Sequence, residues 1–462
     1  MPDSKNVYDV IIVGAGPAGI FAALELSQCP DLRIAILDKG PDIEKRHCPA
    51  RENGHCAHCQ PCALLSGWGG AGAFSDGKLT LSPAVGGHLP EVLGEARARE
   101  LVAEVDRTYV DYGASQTVYG TRTDQIEELE KRAAMAGLRF ISVPIRHIGT
   151  ERCAEIMRAM RDELLRRGVQ IQQRTPVTRV QAVDGHVVGV ETARGETLSS
   201  RFVILAPGRE GASWLKDVSA ELGLTLDRNP VDLGIRVEVP ATVLEPITQL
   251  VYESKFIYYS RAFDDQVRTF CMCPYGEVTT EFAGDVVTVN GHSYADHRTN
   301  NTNFALLVSK NFTEPFDDPI AYGKSIARLA NLLGGGVLVQ RLGDLESGRR
   351  TNDQRLMRSI VTPTLKGATP GDLNLVLPYR YVVSLLEMIH ALDEIAPGVA
   401  SRHTLLYGVE VKFYSCRLQL SDELETEVHN LFAAGDGAGI TRGLVQASAT
   451  GLVTARAILA RL

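Results

Sequence analysis

Apolar residues in the first forty positions of this chain alternate between a strand pattern and a helix pattern. Val10–Val13 is a short, wholly apolar run of β-branched residues, as in strands buried inside a parallel sheet. Ile20–Leu26 follows as a predicted helix, and Arg33–Leu37 is a second apolar strand. The pattern predicts a strand–helix–strand unit and therefore an α/β fold.

A second helical period lies in the middle of the chain. Ile156, Met160 and Leu164 recur every four residues, so 151–166 is predicted as an amphipathic helix that Gly168 ends. The same reasoning predicts helices within 88–144, at about 318–333 and at 381–393, and strands through much of 222–420.

Glycines mark the junction between the first strand and the first helix. Gly14, Gly16 and Gly19 form G-x-G-x-x-G, and Asp38 ends the second strand. These glycines allow a tight turn, a close approach to a pyrophosphate and close helix–strand packing, and the helix N-terminus offers N–H donors to the anion. The acid suits ribose hydroxyls. The predicted dinucleotide site contains Gly14, Ala15, Gly16, Pro17, Ala18, Gly19, Asp38 and Lys39.

Two more apolar runs end in glycine-containing turns. Leu431–Ala434 leads into Gly435 and Asp436, and "RFVILAPGREG" at 201–211 contains a second turn of this kind. Both segments resemble signatures of the glutathione-reductase-like flavoproteins, in which the aspartate binds a ribityl hydroxyl. The resemblance implies FAD, and the further residues assigned to its site are Val177, Ala206, Pro207, Gly208, Gly435 and Asp436.

Longer strings carry a more specific resemblance. They are "GWGGAGAFSDGKLTLS", "RTFCMCPYGEV", "VTVNGHSYADHRTNNTNFALLV", "GDLESGRRTN" and "PTLKGATPGDLNLVLP". Through nearly its whole length the chain resembles the uncharacterised FAD-dependent dehydrogenase family of the glutathione-reductase-like superfamily. This implies a two-domain flavoprotein oxidoreductase and leaves its substrate open.

The predicted fold is α/β. It combines a discontinuous, Rossmann-like (glutathione-reductase-type) FAD-binding domain with a second α+β substrate domain on a mainly antiparallel sheet. The predicted parts are an FAD-binding domain at 1–47, 145–215 and 421–462, a Cys-rich and Gly-rich flavin-facing segment at 48–87, a helical insertion at 88–144 and a substrate domain at 216–420.

The glycine-rich run Gly67–Lys78 has too few side chains to form a core. A flexible loop is one interpretation. The other is a backbone wall against the flavin or its pyrophosphate, with N–H donors for flavin oxygens. The family resemblance favours the wall and assigns Gly69, Gly70 and Ala71 to the FAD site.

Four cysteines precede this run with the spacing C-x7-C-x2-C-x2-C: Cys48, Cys56, Cys59 and Cys62. The spacing partly matches the ligation of a [4Fe–4S] cluster, although the fourth cysteine precedes the triplet. Zinc is an alternative, with neighbouring histidines as spare ligands. A redox disulfide facing the flavin and four unconnected thiols are the remaining interpretations.

Composition limits the partners. The chain of 462 residues has a net charge of −8, which disfavours a nucleic-acid surface. No window is long and apolar enough to span a bilayer, and the first residues lack a secretion signal, so a cytoplasmic location is expected. No second G-x-G-x-x-G lies in a strand–helix unit. Electrons would therefore come from the substrate itself, from a protein partner such as a ferredoxin, or from NAD(P)H bound in another way. The oligomeric state is not indicated.

Candidate catalytic residues come from "NGHSYADHRTNNTN". His292 could act as acid or base, Arg298 could bind a carboxylate, and Asn303 accompanies them. A polar strand end is the alternative. Cys271 and Cys273 are interpreted as core residues whose side chains face one side of a strand.

The predicted function is an FAD-dependent dehydrogenase or reductase that moves a hydride between flavin and a small organic substrate, with a cysteine-bound iron–sulfur cluster as an electron relay in one version. The alternatives are a flavin monooxygenase, and an electron-transfer or redox-sensing flavoprotein with a zinc or disulfide site.

Overall fold

The computed structural model describes residues 6–49, 57, 59–75, 77–227, 231–283, 285–293, 297–310, 318–412 and 417–462. The chain divides into two compact units, each built from separate stretches of sequence. Unit 1 comprises Met1–Thr117, Arg146–Asn229 and Ser415–Leu462, and unit 2 comprises Val118–Ile145 and Pro230–Tyr414.

The strands are numbered along the chain. They are β1 (Val7–Val13), β2 (Ile34–Leu37), β3 (Lys78–Thr80), β4 (Arg139–Ile141), β5 (Ile145–His147), β6 (Gln170–Gln172), β7 (Val177–Val183), β8 (His186–Thr192), β9 (Thr197–Leu205), β10 (Leu226–Asp227), β11 (Val231–Pro240), β12 (Lys255–Tyr259), β13 (Gln266–Cys273), β14 (Glu277–Ala283), β15 (Val286–His292), β16 (Asn301–Lys310), β17 (Leu338–Arg341), β18 (Thr369–Pro370), β19 (Leu405–Lys412), β20 (Arg417–Leu418) and β21 (Leu431–Ala433).

The α-helices are numbered in the same way. They are α1 (Pro17–Leu26), α2 (Leu89–Leu93), α3 (Glu95–Asp111), α4 (Thr123–Met135), α5 (Thr150–Arg166), α6 (Ala212–Leu222), α7 (Ala241–Thr248), α8 (Pro319–Gly334), α9 (Leu342–Glu346), α10 (Asp353–Met357), α11 (Tyr379–Asp393) and α12 (Leu444–Leu459).

Unit 1 is organised by a parallel sheet with the order β6-β2-β1-β9-β21. Strands β7 and β8 extend β9 as an antiparallel meander. The predicted first strand–helix–strand unit is confirmed as β1, α1 and β2. Helix α12 packs closely on α1, because a Cβ on Gly451 would lie 2.1 Å from the carbonyl oxygen of Ala18.

Unit 2 contains an eight-stranded sheet, β18-β17-β19-β11-β16-β13-β12-β4, in which all neighbouring pairs are antiparallel except β17–β18. Leu233, Ile235 and Val237 of β11 point into an apolar cluster that also holds side chains from α7, α8 and α11. Since side chains alternate along a strand, Arg236 and Glu238 project from the opposite face.

The hairpin β14–β15 lies over this opposite face. A Cβ on Gly291 would come within 2.2 Å of both the Arg236 Nη1 atom and the Asn303 Oδ1 atom. Only a glycine therefore fits at this point of β15. The buried polar atoms described below lie between the hairpin and the sheet.

The two units do not follow the expected domain boundaries. The predicted helical insertion at 88–144 is divided, with α2 and α3 in unit 1 and α4 in unit 2. Helix α4 and strand β4 join unit 2 because Leu129, Ala133 and Phe140 lie in its apolar cluster. The segment at 48–87 belongs to unit 1.

Candidate functional site

In the loop between β1 and α1, a side chain at two of the glycines would clash with neighbouring backbone atoms. Gly14 has φ +111°, and a Cβ there would lie 2.1 Å from the Ala206 carbonyl oxygen. A Cβ on Gly19 would lie 2.1 Å from the Gly14 carbonyl oxygen. Around Gly16 the nearest atom to an added Cβ is the Gly70 Cα at 4.0 Å, so the backbone is open on that side. Helix α1 has no side-chain cap, which leaves its first N–H groups for an anion.

The glycine-rich run stands against this loop. Gly69 donates its N–H to the Ala15 carbonyl at 2.8 Å, and Gly69 and Gly70 have φ of +83° and +54°. A Cβ on Gly70 would lie 3.0 Å from the Gly16 Cα. Gly70 and Ala71 begin a 3-10 turn, Gly70–Phe74. The segment is therefore an ordered wall beside the predicted pyrophosphate loop.

Asp38 ties this wall to the loop. Its Oδ1 atom accepts N–H bonds from Gly40 at 2.7 Å and Gly67 at 2.8 Å, and its Oδ2 atom accepts one from Ala15 at 2.9 Å. A carboxylate oxygen can accept two hydrogen bonds. Oδ2 therefore retains acceptor capacity for a hydroxyl, in agreement with the predicted ribose contact.

Lys39, the next predicted residue, forms an ion pair with Glu210. Burial lowers the pKa of Lys39, and negative charge on Asp38 or Cys62 acts in the opposite direction. The lysine therefore has a protein partner, and its contact with FAD stays a prediction.

The two later segments meet the loop from the other side. A Cβ on Gly435 would lie 3.1 Å from the Ala18 Cβ, and a Cβ on Gly437 would lie 2.8 Å from the Gly208 carbonyl oxygen. Ala206 donates its N–H to the Val13 carbonyl at 2.8 Å. The structure thus brings the three predicted segments together at the carboxyl ends of the parallel strands, where open α/β sheets bind ligands.

Asp436 lies at this junction. Its Oδ1 atom accepts bonds from the Thr441 hydroxyl at 2.7 Å and the Gly443 N–H at 3.2 Å, and its Oδ2 atom lies 3.9 Å from Arg209 Nε. Burial raises the pKa of Asp436. Oδ2 is the oxygen with capacity for a ribityl hydroxyl. Val177 starts β7, and nearby Thr175 donates its N–H to the Asp38 carbonyl at 2.8 Å.

The cysteine segment is only partly described. Cys48, Cys59 and Cys62 are not in disulfides, and Cys56 lies outside the described residues. Within the part of the chain that is described, no group of three or more His, Cys, Asp or Glu side chains is arranged to hold a metal ion. Buried Arg46 fixes the chain just after Cys62 by donating to the carbonyls of Ala63 and Leu64 at 3.0 and 2.8 Å.

Each of the three catalytic candidates is next to one turn of unit 2, Cys273–Glu277. His292 pairs with Glu277, and Asn303 pairs with Cys273. Arg298 is exposed, and its guanidinium carbon lies 5.3 Å from the centre of the Tyr275 ring. His292 is partly buried and Asn303 is fully buried, so their environments differ.

A buried ion network beside this turn was not predicted. Arg236 and Glu410 form a fully buried two-bond ion pair, with N–O distances of 2.8 and 3.0 Å. Lys412 lies 3.2 Å from Glu410 and 2.9 Å from Glu281. Arg236 also donates to Asn303 Oδ1 at 2.7 Å. The sequence feature that could have indicated this network is the alternation of charged and apolar residues in "GIRVEV" and "GVEVK".

Glu238 forms a second buried group on the same face. Its carboxylate accepts bonds from the Thr364 hydroxyl at 2.6 Å, the Asn301 amide at 3.0 Å and the Tyr407 hydroxyl. Burial raises the pKa of Glu238, and these donors oppose the shift. Burial and the nearby Glu238 charge raise the pKa of Tyr407 well above its ordinary range.

The geometry of unit 1 is that of a dinucleotide-binding flavoprotein. The chain belongs to the FAD dependent oxidoreductase family, whose model matches residues 9–302. A second model, for the FAD-dependent protein, C-terminal domain-like family, matches residues 230–413. FAD is thus the cofactor. The finer glutathione-reductase-type assignment is not confirmed, since the matching family is a related FAD superfamily.

Individual relatives are more distant. A protein of Clostridium beijerinckii described as an uncharacterized protein is 26% identical over 472 residues, covering 97% of this chain and 80% of its own. Glycine oxidase from Geobacillus kaustophilus is 14% identical, with a TM-score of 0.41 over 98% of this chain and 95% of that chain. L-proline dehydrogenase from P. horikoshii is 11% identical, with a TM-score of 0.42 over 99% and 94%.

No helix among the described residues has the length and apolar character that crossing a bilayer requires.

Proposed function

We propose that this FAD-dependent oxidoreductase is a dehydrogenase or reductase of a small organic substrate that carries a carboxylate. The observation that supports the substrate class is Arg298, an exposed guanidinium beside the turn that His292 and Asn303 also contact. An exposed arginine held against an aromatic ring presents its remaining donors in a fixed fork that suits a carboxylate.

The residues of unit 1 fit FAD. The space beside Gly16 and the uncapped start of α1 suit the pyrophosphate. Asp38 Oδ2 can accept a hydrogen bond from a ribose hydroxyl, and Asp436 Oδ2 can accept one from a ribityl hydroxyl. When bound, FAD supplies the hydride-transfer chemistry that amino-acid side chains lack. The chain itself supplies binding, orientation and proton handling.

Each candidate in unit 2 has a different role in this proposal. Arg298 binds the substrate carboxylate, and the His292 imidazole accepts or releases the proton that accompanies hydride transfer. Asn303 is a positioning residue, because its Oδ1 atom is already bound to Arg236. The assignment predicts separate kinetic effects for the first two residues.

The test uses the purified holoprotein without oxygen. Amino acids, 2-hydroxy acids and their amide analogues are added singly while the long-wavelength flavin absorption is followed. We expect carboxylates, and not their amides, to bleach the band. For the active compound, Arg298→Gln should raise KM about tenfold or more, because one charged hydrogen-bond pair with the carboxylate is lost. His292→Gln should instead lower kcat. Arg328→Gln, at an exposed arginine of α8, is the control for Arg298.

Other results would redirect the proposal. Bleaching by NAD(P)H with oxygen uptake and a hydroxylated product would support a monooxygenase. Reduction by a ferredoxin alone, with no compound turned over, would support an electron-transfer or redox-sensing protein. Equal activity on acids and amides would contradict the role of Arg298.

We also retain an electron relay at Cys48, Cys56, Cys59 and Cys62 as a proposal that rests on their spacing. Anaerobic spectra before and after dithionite, together with metal analysis, test it. A broad absorption that bleaches with iron present supports the cluster, whereas zinc alone or a pure flavin spectrum contradicts it. We propose the cytoplasm as the compartment, because clustered thiols of this kind are maintained there.

A further inference from the structure

A bulge interrupts β13 at Cys271 and Met272. Phe270 pairs with Ala305 of β16, but the next pair is Cys273 with Asn303, so β13 contains one extra residue. Cys271 has φ +44°, in the left-handed region that residues other than glycine rarely adopt. Cys273 is fully buried, as expected of a small core residue, whereas Cys271 is only partly buried. The expectation of a regular strand is wrong, because the bulge lies between Phe270 and Cys273.

At the bulge, the Cys271 carbonyl oxygen is contacted by both Arg236 and the Cys273 thiol. Arg236 Nη1 donates to the Cys271 carbonyl at 3.2 Å, and the Cys273 thiol lies 3.5 Å from the same carbonyl. Negative charge on either sulfur would raise the pKa of Arg236, so both sulfurs lie within the field of the guanidinium. A neighbouring buried cation favours the thiolate, which is the reactive form of cysteine.

A buried donor faces the same place. The Nδ2 atom of Asn303 has no hydrogen-bond partner among the described residues and no contact with solvent. Asn303 is the direct cross-strand neighbour of Cys273. An unpaired buried amide is destabilising, so an acceptor that forms nearby would be stabilised. A thiolate and a sulfenate are both such acceptors.

We propose that Cys271 and Cys273 form an oxidant-sensitive dithiol that a hydroperoxide converts to an intramolecular disulfide. In the first step the Cys271 thiolate attacks the peroxide O–O bond, giving a sulfenic acid and releasing hydroxide or alkoxide. In the second step the Cys273 sulfur attacks the Cys271 sulfur, the S–O bond breaks, and the leaving hydroxide takes up the proton of the Cys273 thiol to become water. The two sulfurs lose two electrons in total, and the peroxide gains them.

Exposure decides the order of the two cysteines. Cys271 is partly exposed, whereas Cys273 is fully buried. Peroxide can therefore reach Cys271 first, and Cys273 acts as the resolving thiol. The Cys273 thiol already lies 3.5 Å from the carbonyl oxygen of Cys271, the residue whose sulfur it would attack.

Formation of the disulfide would move the turn that holds the catalytic candidates. An added Cβ on Gly276 would lie 2.8 Å from the Cys273 Cβ and 2.3 Å from the His292 carbonyl oxygen, so this turn has little room. A shift of Cys273 must therefore displace its neighbours. The dithiol itself is independent of the substrate proposed above.

The first experiment uses the wild-type holoprotein. It is treated with one equivalent of hydrogen peroxide, alkylated after denaturation and analysed by peptide mass spectrometry. We expect the peptide containing Cys271 and Cys273 to carry no alkyl group and to weigh two hydrogen atoms less than the free dithiol, and dithiothreitol to restore alkylation. Full alkylation of both cysteines after treatment, or linkage of either one to a different cysteine, would overturn the proposal.

Variants test the order of the steps. Cys273→Ser should accumulate a sulfenic acid at Cys271 that dimedone labels, and Cys271→Ser should give no label at Cys273. Cys29→Ser, at an exposed cysteine of unit 1, is the matched control and should form the disulfide as the wild type does. Dimedone labelling of Cys273 and not of Cys271 would contradict the assigned roles. The wild-type measurement holds even if a variant fails to fold.

Discussion

A single methyl group at Gly14 would occupy the position of a neighbouring carbonyl group. The Ala206 oxygen lies 2.1 Å from where that Cβ would stand, and neither backbone can move without disturbing the parallel strands. We therefore expect Gly14→Ala to lower FAD affinity about tenfold or more, equivalent to about 1.4 kcal/mol. The ratio of flavin to protein absorbance after dialysis measures the loss.

The control for this prediction separates backbone strain from the clash. Gly168 also has a positive φ, +84°, but no atom lies within 4 Å of an added Cβ. Gly168→Ala should cost about 1–2 kcal/mol of folding stability, since alanine is disfavoured in the left-handed region, and should retain its flavin. Equal flavin content in the two variants would contradict the proposed role of Gly14.

Glu238 offers a pH-dependent prediction. It is fully buried, and burial raises its pKa in the folded protein. The stability that this carboxyl contributes is complete below its unfolded pKa of about 4.3 and is lost as pH rises through the folded pKa. Wild-type protein should therefore lose stability relative to Glu238→Gln as pH increases above about 4.

Urea unfolding at several pH values measures this difference. Glu128→Gln, at an exposed position of α4, is the control and should follow the wild-type profile. Parallel pH profiles for wild type and Glu238→Gln would contradict the prediction and show that the donors around the carboxylate offset its burial.

The buried ion pair between β11 and β19 leads to a prediction about the stability of the fold. Arg236 and Glu410 are both completely buried. Arg236→Met leaves a buried carboxylate and should destabilise the fold by about 3–5 kcal/mol. The double variant with Glu410→Met should cost less than the sum of the single variants, because Lys412 retains Glu281 at 2.9 Å.

A double-mutant cycle by urea unfolding tests this coupling. The matched control is the pair Arg328–Asp285, whose side chains are 56% and 55% exposed. Its coupling should stay below about 1 kcal/mol. Additive effects at Arg236 and Glu410 would indicate that the buried pair contributes no mutual stabilisation.

Strand β13 marks the limit of prediction from sequence at the level of single elements. Alternation along "RTFCMC" predicts two cysteines on one face, which a regular strand would require. The bulge arises from the pairing of β13 with β16. It therefore depends on two segments that are far apart in the sequence, and the pattern of β13 alone does not predict it. By contrast, the turn at Gly14 was predictable, because the requirement for each of its glycines comes from the local backbone conformation and packing of the motif.

The division into two units shows a similar contrast. Three FAD-binding segments could be found from short motifs, although the chain between them is long. The surfaces against which α3 and α4 pack could not be predicted from the sequence. An amphipathic pattern identifies the buried face of a helix but not the part of the protein that covers it. Leu129 and Ala133 of α4 are periodic in the sequence, and only the fold assigns them to unit 2.

Both tryptophans, Trp68 and Trp214, lie in unit 1, and each unit has its own apolar cluster. Tryptophan fluorescence should therefore follow the unfolding of unit 1, whereas circular dichroism follows both units. A ligand that binds only folded unit 1 stabilises it by about 2.7 kcal/mol at one hundred times its Kd. Adding FAD to the apoprotein should therefore move the fluorescence transition to higher urea.

Arg236→Met provides the complementary perturbation, because that residue lies in unit 2. It should move part of the dichroism transition to lower urea and leave the fluorescence midpoint unchanged. Gly14→Ala should reduce the shift caused by FAD and leave the remaining dichroism component where it is. If fluorescence and dichroism coincide in every variant, the two clusters unfold as one cooperative unit. The stability of the FAD site would then depend on the charged network of unit 2, and the units could not be treated as separate.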